Sequence, residues 1–343
     1  MALQLPTGYT IRPAVREDAE ALLAIVHANS LERDGSTEST LQDMYDEWDD
    51  PDLEMARDTC TVITPDGRLV GYVALWGRGR EALPFADLCV PNAEPATEAA
   101  VAPVLLDWAE RRAWEMSPAA APDARIAVRV FSDSRETRYI EVLKSCGFAP
   151  IRHSFRMDIK FEGQPDPGKC PNGLTIRPAE AEDMVPVFDT WRDAWRDHFG
   201  YIERPYDMAF ESWQHEWEKD FKPGLWLLGI DGDTVAGMCL NLSAYGGDDS
   251  IGYVMLLAVR RAFRRRGLAE ALLRRSFAAL HTAGKQSVVL HVDGSSLTGA
   301  TRLYERAGMH VVKTYTLCEK ELRPGIDPST HELAPVTTAS EAQ

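Results

Sequence analysis

The 343-residue chain lacks any apolar run near the ~20 residues that a membrane-spanning helix needs. It also lacks a basic start followed by an apolar stretch: MALQLPTGYT has neither feature of a secretory signal, so a cytoplasmic protein away from membranes is the expectation. Cysteine is sparse and scattered. Cys60, Cys89, Cys146, Cys170, Cys239 and Cys318 include no CxxC pair, so reduced thiols are expected, and neither a disulfide framework nor a metal site. Positive charge is in deficit, with 37 Lys and Arg against 53 Asp and Glu, a formal net charge of −16. That imbalance repels nucleic acid and anionic membranes and attracts cationic small molecules. The acidic run DMYDEWDDPDLE reads as a solvated helix or loop rather than as metal ligands.

What the chain does have is a repeat. TIRPA occupies residues 10–14 and again 175–179, each time followed by an acidic pair, Glu17-Asp18 and Glu182-Asp183. The length also exceeds what one core usually fills, so the reading is one unit written twice. Each copy alternates strand-like and helical stretches. In the first, a strand at YTIRPA precedes the helix EDAEALLAIVHAN. The strands TCTVITPDG and RLVGYVALW meet at a Pro65-Asp66-Gly67 turn, and a helix over 97–116 leads to RIAVRVF. The second copy repeats this order with LTIRPA, LWLLGI, TVAGMCLNLSA, IGYVMLLAV, a helix from about Gly267, SVVLHVD and TGATRLYERAG. The expectation is an α/β (α+β, mixed-sheet) protein with a first domain over 1–160 and a linker over 161–172. A second domain then covers 173–323, and a tail without order follows beyond Arg323.

The chemistry concentrates in VRRAFRRRGLAEALLRR, residues 259–275, where seven arginines crowd an otherwise acidic chain. An apolar strand runs into an Arg/Gly turn, and the turn opens a helix. The first helical N–H groups have no intrahelical partners, the helix dipole is positive there, and glycine lets a ligand approach the backbone. The turn at 264–269 is therefore predicted to hold a phosphate. Arg274 and Arg275 fit a solvated helix face as well as a ligand.

RRRGLA matches the (Gln/Arg)-x-x-Gly-x-(Gly/Ala) pattern of the GNAT superfamily of acyl-CoA-dependent N-acyltransferases. It sits between the fourth strand and third helix, where that family places it, and LYERAGM resembles the family's later motif. The resemblance implies two tandem GNAT-like domains, an architecture similar to that of mycothiol-synthase-like proteins. It also implies an enzyme that moves an acetyl group from acetyl-CoA to the amine of a small-molecule acceptor, with no nucleic acid, membrane or metal involved. Carried over, Leu257, Ala258 and Val259 would meet the thioester carbonyl and pantetheine. Arg264, Arg265, Arg266, Gly267, Leu268 and Ala269 would cradle the pyrophosphate, Ser296 would stand where many members carry Asn, and Tyr304 would protonate the departing thiolate. The family's frequent strand-four glutamate is missing from IGYVMLLAV, so the base stays open among Asp197, His198, Tyr253, His291 and a water chain.

In the first copy, PATEAA at 95–100 faces RRRGLA, with Glu98 for the glycine and no arginine, and Leu143 falls opposite Tyr304. That copy is expected to keep the fold and lose the cofactor chemistry. Two rival readings remain open: an acyl-CoA sensor without catalysis, and a nucleic-acid binder resting on the arginine cluster alone.

Overall fold

The computed structural model describes residues 4–333. Its first half runs β1 (Thr10–Arg12), α1 (Ala19–Asp34), α2 (Leu41–Trp48), α3 (Met55–Asp58), β2 (Thr59–Ile63), β3 (Leu69–Trp76), β4 (Phe85–Cys89), α4 (Pro95–Met116), β5 (Ile126–Asp133), α5 (Thr137–Ser145) and β6 (Ala149–Lys160). The second half runs β7 (Thr175–Pro178), α6 (Met184–Trp195), α7 (Tyr206–Asp220), β8 (Leu227–Asp231), β9 (Thr234–Leu242), β10 (Ile251–Val259), α8 (Leu268–Thr282), β11 (Ser287–Asp293), α9 (Ala300–Arg306) and β12 (His310–Arg323). The mixed α/β architecture is as the sequence predicts.

The chain forms two compact units that depart from a boundary at residues 160–173. Unit 1 is Met1–His153 with Thr314–Pro328, and unit 2 is Ser154–Lys313 with Ser329–Gln343. Strand pairing is the reason. In unit 1, β1 to β4 pair antiparallel in order, β4 pairs parallel with β5, and the Tyr315–Arg323 part of β12 pairs antiparallel with β5. In unit 2, β7 to β10 repeat that antiparallel order and β10 pairs parallel with β11. Ser154–Lys160 of β6 then pairs antiparallel with β11. Each sheet thus takes its sixth strand from the opposite half of the sequence.

Helices cover each sheet because the strands bury apolar residues on both faces. In unit 1, Val101, Leu105 and Leu106 of α4 pack with Val73, Val128 and Val130, while Leu22, Trp48 and Tyr72 form a second cluster. In unit 2, Leu268, Leu272 and Phe277 of α8 pack with Val254, Val288 and Tyr304. Val187, Phe188 and Trp213 of α6 and α7 pack with Leu228, Met238 and Leu256.

Beyond Arg323, where the sequence suggests a tail without order, residues 324–333 are held by backbone bonds. Ile326 donates to Asp123 O at 2.8 Å and Thr330 to Tyr201 O at 2.9 Å. The rest of that tail, 334–343, lies outside the described residues. Among the described residues no helix is long and apolar enough to cross a membrane, and no His/Cys/Asp/Glu group could hold a metal ion. All six cysteines are free thiols, and burial pushes Cys60 and Cys239 up to about 12, leaving them poor nucleophiles.

Candidate acyl-transfer site in unit 2

The site begins where two parallel strands part. β10 pairs with β11 only from Ile251–Ser287 to Val254–Leu290, although both strands continue. A bulge lies at that point. The β9–β10 register shifts between Val254 and Leu256, and the consecutive Met255 and Leu256 both pack into the α6–α7 cluster. One extra residue bends the strand away from its neighbour. Leu257, Ala258 and Val259 stay paired to Cys239, Met238 and Gly237 of β9, so their other edge borders the opening. Val259 O also accepts from Arg264 Nε at 3.1 Å, which leaves that carbonyl engaged within the protein.

The opening leads to the α8 N-terminus. Gly267, at φ 85°, caps the helix, and Arg265, at φ 64°, is the one non-glycine residue with positive φ among those described. Two left-handed positions in three residues turn successive N–H groups into a concave donor surface, on top of the unpaired N–H groups of the helix itself. Leu268 fixes where that surface lies. It is buried over Gly229 and Gly237, and a Cβ on Gly229 would come within 2.7 Å of its Cδ1.

The arginines divide their work. Arg264 turns inward, donating to Asp197 and, at 3.2 Å, to Ala194 O. Arg261 forks onto the same carboxylate with two bonds of 2.7 Å. Asp197 is 3 % exposed; burial raises its pKa, but the bonds from Arg261 and Arg264 outweigh this and hold it below the usual carboxylate range. A carboxylate so committed anchors the turn and is unsuited to accept a proton from an amine. Arg266 pairs with Asp231 at 3.1 Å and lies over Phe263. Arg265 is exposed, and among the described residues its side chain meets no acid.

The other sequence candidates fall in two places. His198 stacks on Trp195 with centroids 5.1 Å apart, beside the Asp197 anchor. Tyr253 and His291 come together at the opening: their rings are 6.0 Å apart, and Tyr245 joins them, its hydroxyl 3.1 Å from His291 Nε2. His291 is the first β11 residue past the last β10 pair and is exposed. Tyr253 is pushed up to about 12, by burial and then by Glu216 of α7. Tyr245 escaped the sequence reading because it lies in SAYGGDDS, which reads as a turn and nothing more. Tyr304 of α9 is 7 % exposed in the α8 cluster; burial, then Cys239 and Tyr253, raise its pKa, so it stays a phenol at neutral pH. Ser296 spends its groups on the approach to α9, its hydroxyl 3.1 Å from Thr298 Oγ1 and accepting from Ala300 N at 3.4 Å.

The parted parallel pair, the bulged strand and the donor-lined helix start all lie within residues 187–309, which match the acetyltransferase (GNAT) family. The chain therefore carries a GNAT acetyltransferase domain. It is similar to a GCN5-related N-acetyltransferase from Sphaerobacter thermophilus, at 27% identity and TM-score 0.77, over 94% of this chain and 99% of that one. It shares its fold with a tandem GNAT protein from the clavulanic acid biosynthesis pathway, at 12% identity and TM-score 0.66, over 93% and 100% of the two chains. It also shares it with N-myristoyltransferase of Saccharomyces cerevisiae with bound myristoyl-CoA, at 12% identity and TM-score 0.61, over 93% and 80%. No curated protein sequence matches the chain.

Proposed function

We propose that unit 2 transfers an acetyl group from acetyl-CoA to the amine of a small-molecule acceptor by direct attack. The observation that carries this is the parting of β10 from β11 beside a helix start whose backbone is shaped for an anion. The pyrophosphate would accept from the N–H groups of residues 265–269, with Arg265 adding charge and Arg264, tied to Asp197, holding the turn in shape. The thioester would lie along Leu257–Val259, where backbone donors could stabilise the developing oxyanion.

Acceptor attack forms a nitrogen–carbon bond, breaks the carbon–sulfur bond and releases one proton from the amine. In this reading His291 takes that proton; its contact with the Tyr245 hydroxyl at the mouth of the opening supports the role. Tyr304, kept protonated by burial, supports the departing thiolate by a positioned hydrogen bond. A cationic acceptor also suits the chain's net charge of −16.

The test is a panel of primary amines assayed for acetyl-CoA-dependent release of thiol. Tyr304→Phe should lower kcat about tenfold or more with little change in KM for acetyl-CoA. No thiol release with any amine, despite tight acetyl-CoA binding, would favour a sensor over an enzyme.

A further inference from the structure

Asp197, which anchors the Arg/Gly turn, has no helix of its own to hold it. α6 ends at Trp195, and Asp197 lies two residues beyond. A residue outside the helix ladder keeps its place only if other contacts fix the backbone there. From the side of the turn, Arg261 and Arg264 grip its carboxylate, Arg261 N donates to Asp193 Oδ2 at 3.0 Å, and Arg264 reaches Ala194 O. Those bonds tie turn and loop to each other, so the pair still needs a fixed point.

Residues 329–331 supply one, and they belong to the same unit as the loop. Gly200 N donates to Thr330 O at 2.8 Å, and Thr330 N donates to Tyr201 O at 2.9 Å. The Thr330 hydroxyl donates to Arg196 O at 3.1 Å, at the peptide link that leads into Asp197. Gly200 sits at φ 78°, a left-handed position that glycine takes without strain where this loop turns. His331 completes the contact edge-on to Phe199, with centroids 5.0 Å apart.

This is more than a tail resting on a surface. Thr330 commits its N–H, its carbonyl and its hydroxyl to one loop. Ser329, Thr330 and His331 bring little apolar surface, so directed hydrogen bonds and one ring contact place the segment rather than burial. Such a contact can open without unfolding the sheet beneath it. Glu203 steadies the loop separately, gathering Arg192, Arg196 and the Tyr201 hydroxyl, and those contacts do not involve Thr330.

We propose that residues 329–331 are a strap that positions the donor-binding turn, acting through the 196–201 loop and Asp197, with Thr330 as its positioning residue. The strap fixes Arg196 O and the 200–201 backbone; the loop fixes Asp197; Asp197 holds Arg261 and Arg264, and these set the backbone whose N–H groups face the donor. The functional half of this rests on the acetyl-CoA reading of the turn given above.

The experiment is amide hydrogen exchange without acetyl-CoA, comparing the full chain with one ending at Leu333, which keeps the strap, and one ending at Pro328, which loses it but keeps the Thr314–Pro328 part of unit 1. Exchange over 194–201 and 260–266 should be about tenfold faster or more in the chain ending at Pro328, with 272–280 of α8 unchanged. The chain ending at Leu333 and Thr330→Ser should match the wild type, and Thr330→Val, which loses only the hydroxyl bond, should fall between. Kinetics give a second readout: the chain ending at Pro328 should show KM for acetyl-CoA raised about fivefold or more while kcat holds. Unchanged exchange over 260–266 without the strap, exchange that also quickens through 272–280, or a kcat that falls while KM holds would each overturn the proposal. Absence of acetyl-CoA turnover in the wild type would sink the transfer reading alone, and exchange would still decide the strap.

Discussion

The first helix of each unit is seated by the same fork. Arg12 grips Asp18 at 2.6 and 2.7 Å, and Arg177 grips Asp183 at 2.6 and 2.8 Å. The free face of each acid then accepts a backbone N–H, from Val15 at 2.9 Å and from Glu180 at 2.8 Å. Ala14 and Ala179 are buried beside them. This is what the repeated TIRPA and its acidic pair encode: a clamp between first strand and first helix. At the parted strands the likeness ends. Unit 2 offers an open glycine turn and the Tyr245, Tyr253 and His291 group, whereas unit 1 fills the turn with Glu98 and Arg138. Identity in the repeat therefore reports how the scaffold closes, and divergence at the helix start reports what each copy holds.

The sharpest way to break this contrast is to write unit 1's acid into unit 2. Gly267→Glu puts a carboxylate and a Cβ at φ 85°, and is expected to lower kcat/KM for acetyl-CoA by about a hundredfold or more. It should also abolish the rise in Tm expected of the wild type with acetyl-CoA, about 2.7 kcal/mol of stabilisation at a hundredfold excess over Kd. An unchanged kcat/KM would remove the turn from the site. Next in size, His291→Asn should reduce kcat about a hundredfold while KM for acetyl-CoA holds; a selective rise in that KM would show that His291 binds the donor instead.

A smaller effect concerns pH. Asp197 is held below its ordinary pKa, so the stability it confers is fully present above the unfolded value of about 3.9 and fades as pH falls through the lower folded value. Denaturant titrations of wild type and Asp197→Asn should differ at pH 6 and draw together as pH falls from about 4 through that lower folded value; a gap that persists below it would mean that packing, not charge, seats the turn. Smallest are the two forks: Arg12→Ala and Arg177→Ala should each cost about 1 kcal/mol, since both arginines are partly exposed. Unequal losses would show that the shared clamp has come to matter more in one unit.

Much of this was legible in the chain. β10, α8 and α9 follow from local periodicity, and the phosphate turn from an Arg/Gly cluster after an apolar strand. β6 was not legible: APIRHSFRMDIK mixes charge with apolar residues because it is partly exposed along most of its length, so no apolar run marks it. The fate of Asp197 depended on Arg261 and Arg264, 64 and 67 positions away, which spacing within DHFGY cannot reveal. The acidic run at 43–54 reads as solvated, and Asp43, Asp49 and Glu54 of it do face solvent; Glu47 is half-buried, because α2 turns it toward the Tyr72 hydroxyl.

The placement of β12 bears on how the protein is made. Residues 1–153 leave the ribosome well before Tyr315–Arg323, yet β5 takes that late segment as its neighbour. Until the last strand emerges, β5 has an uncovered edge, a template for unwanted pairing with other chains. Unit 2 meets no such delay, since Ser154–Lys160 is already waiting when β11 is synthesised. The copy that begins first is thus completed last, and a stop codon before residue 315 would damage the unit synthesised at the other end of the message.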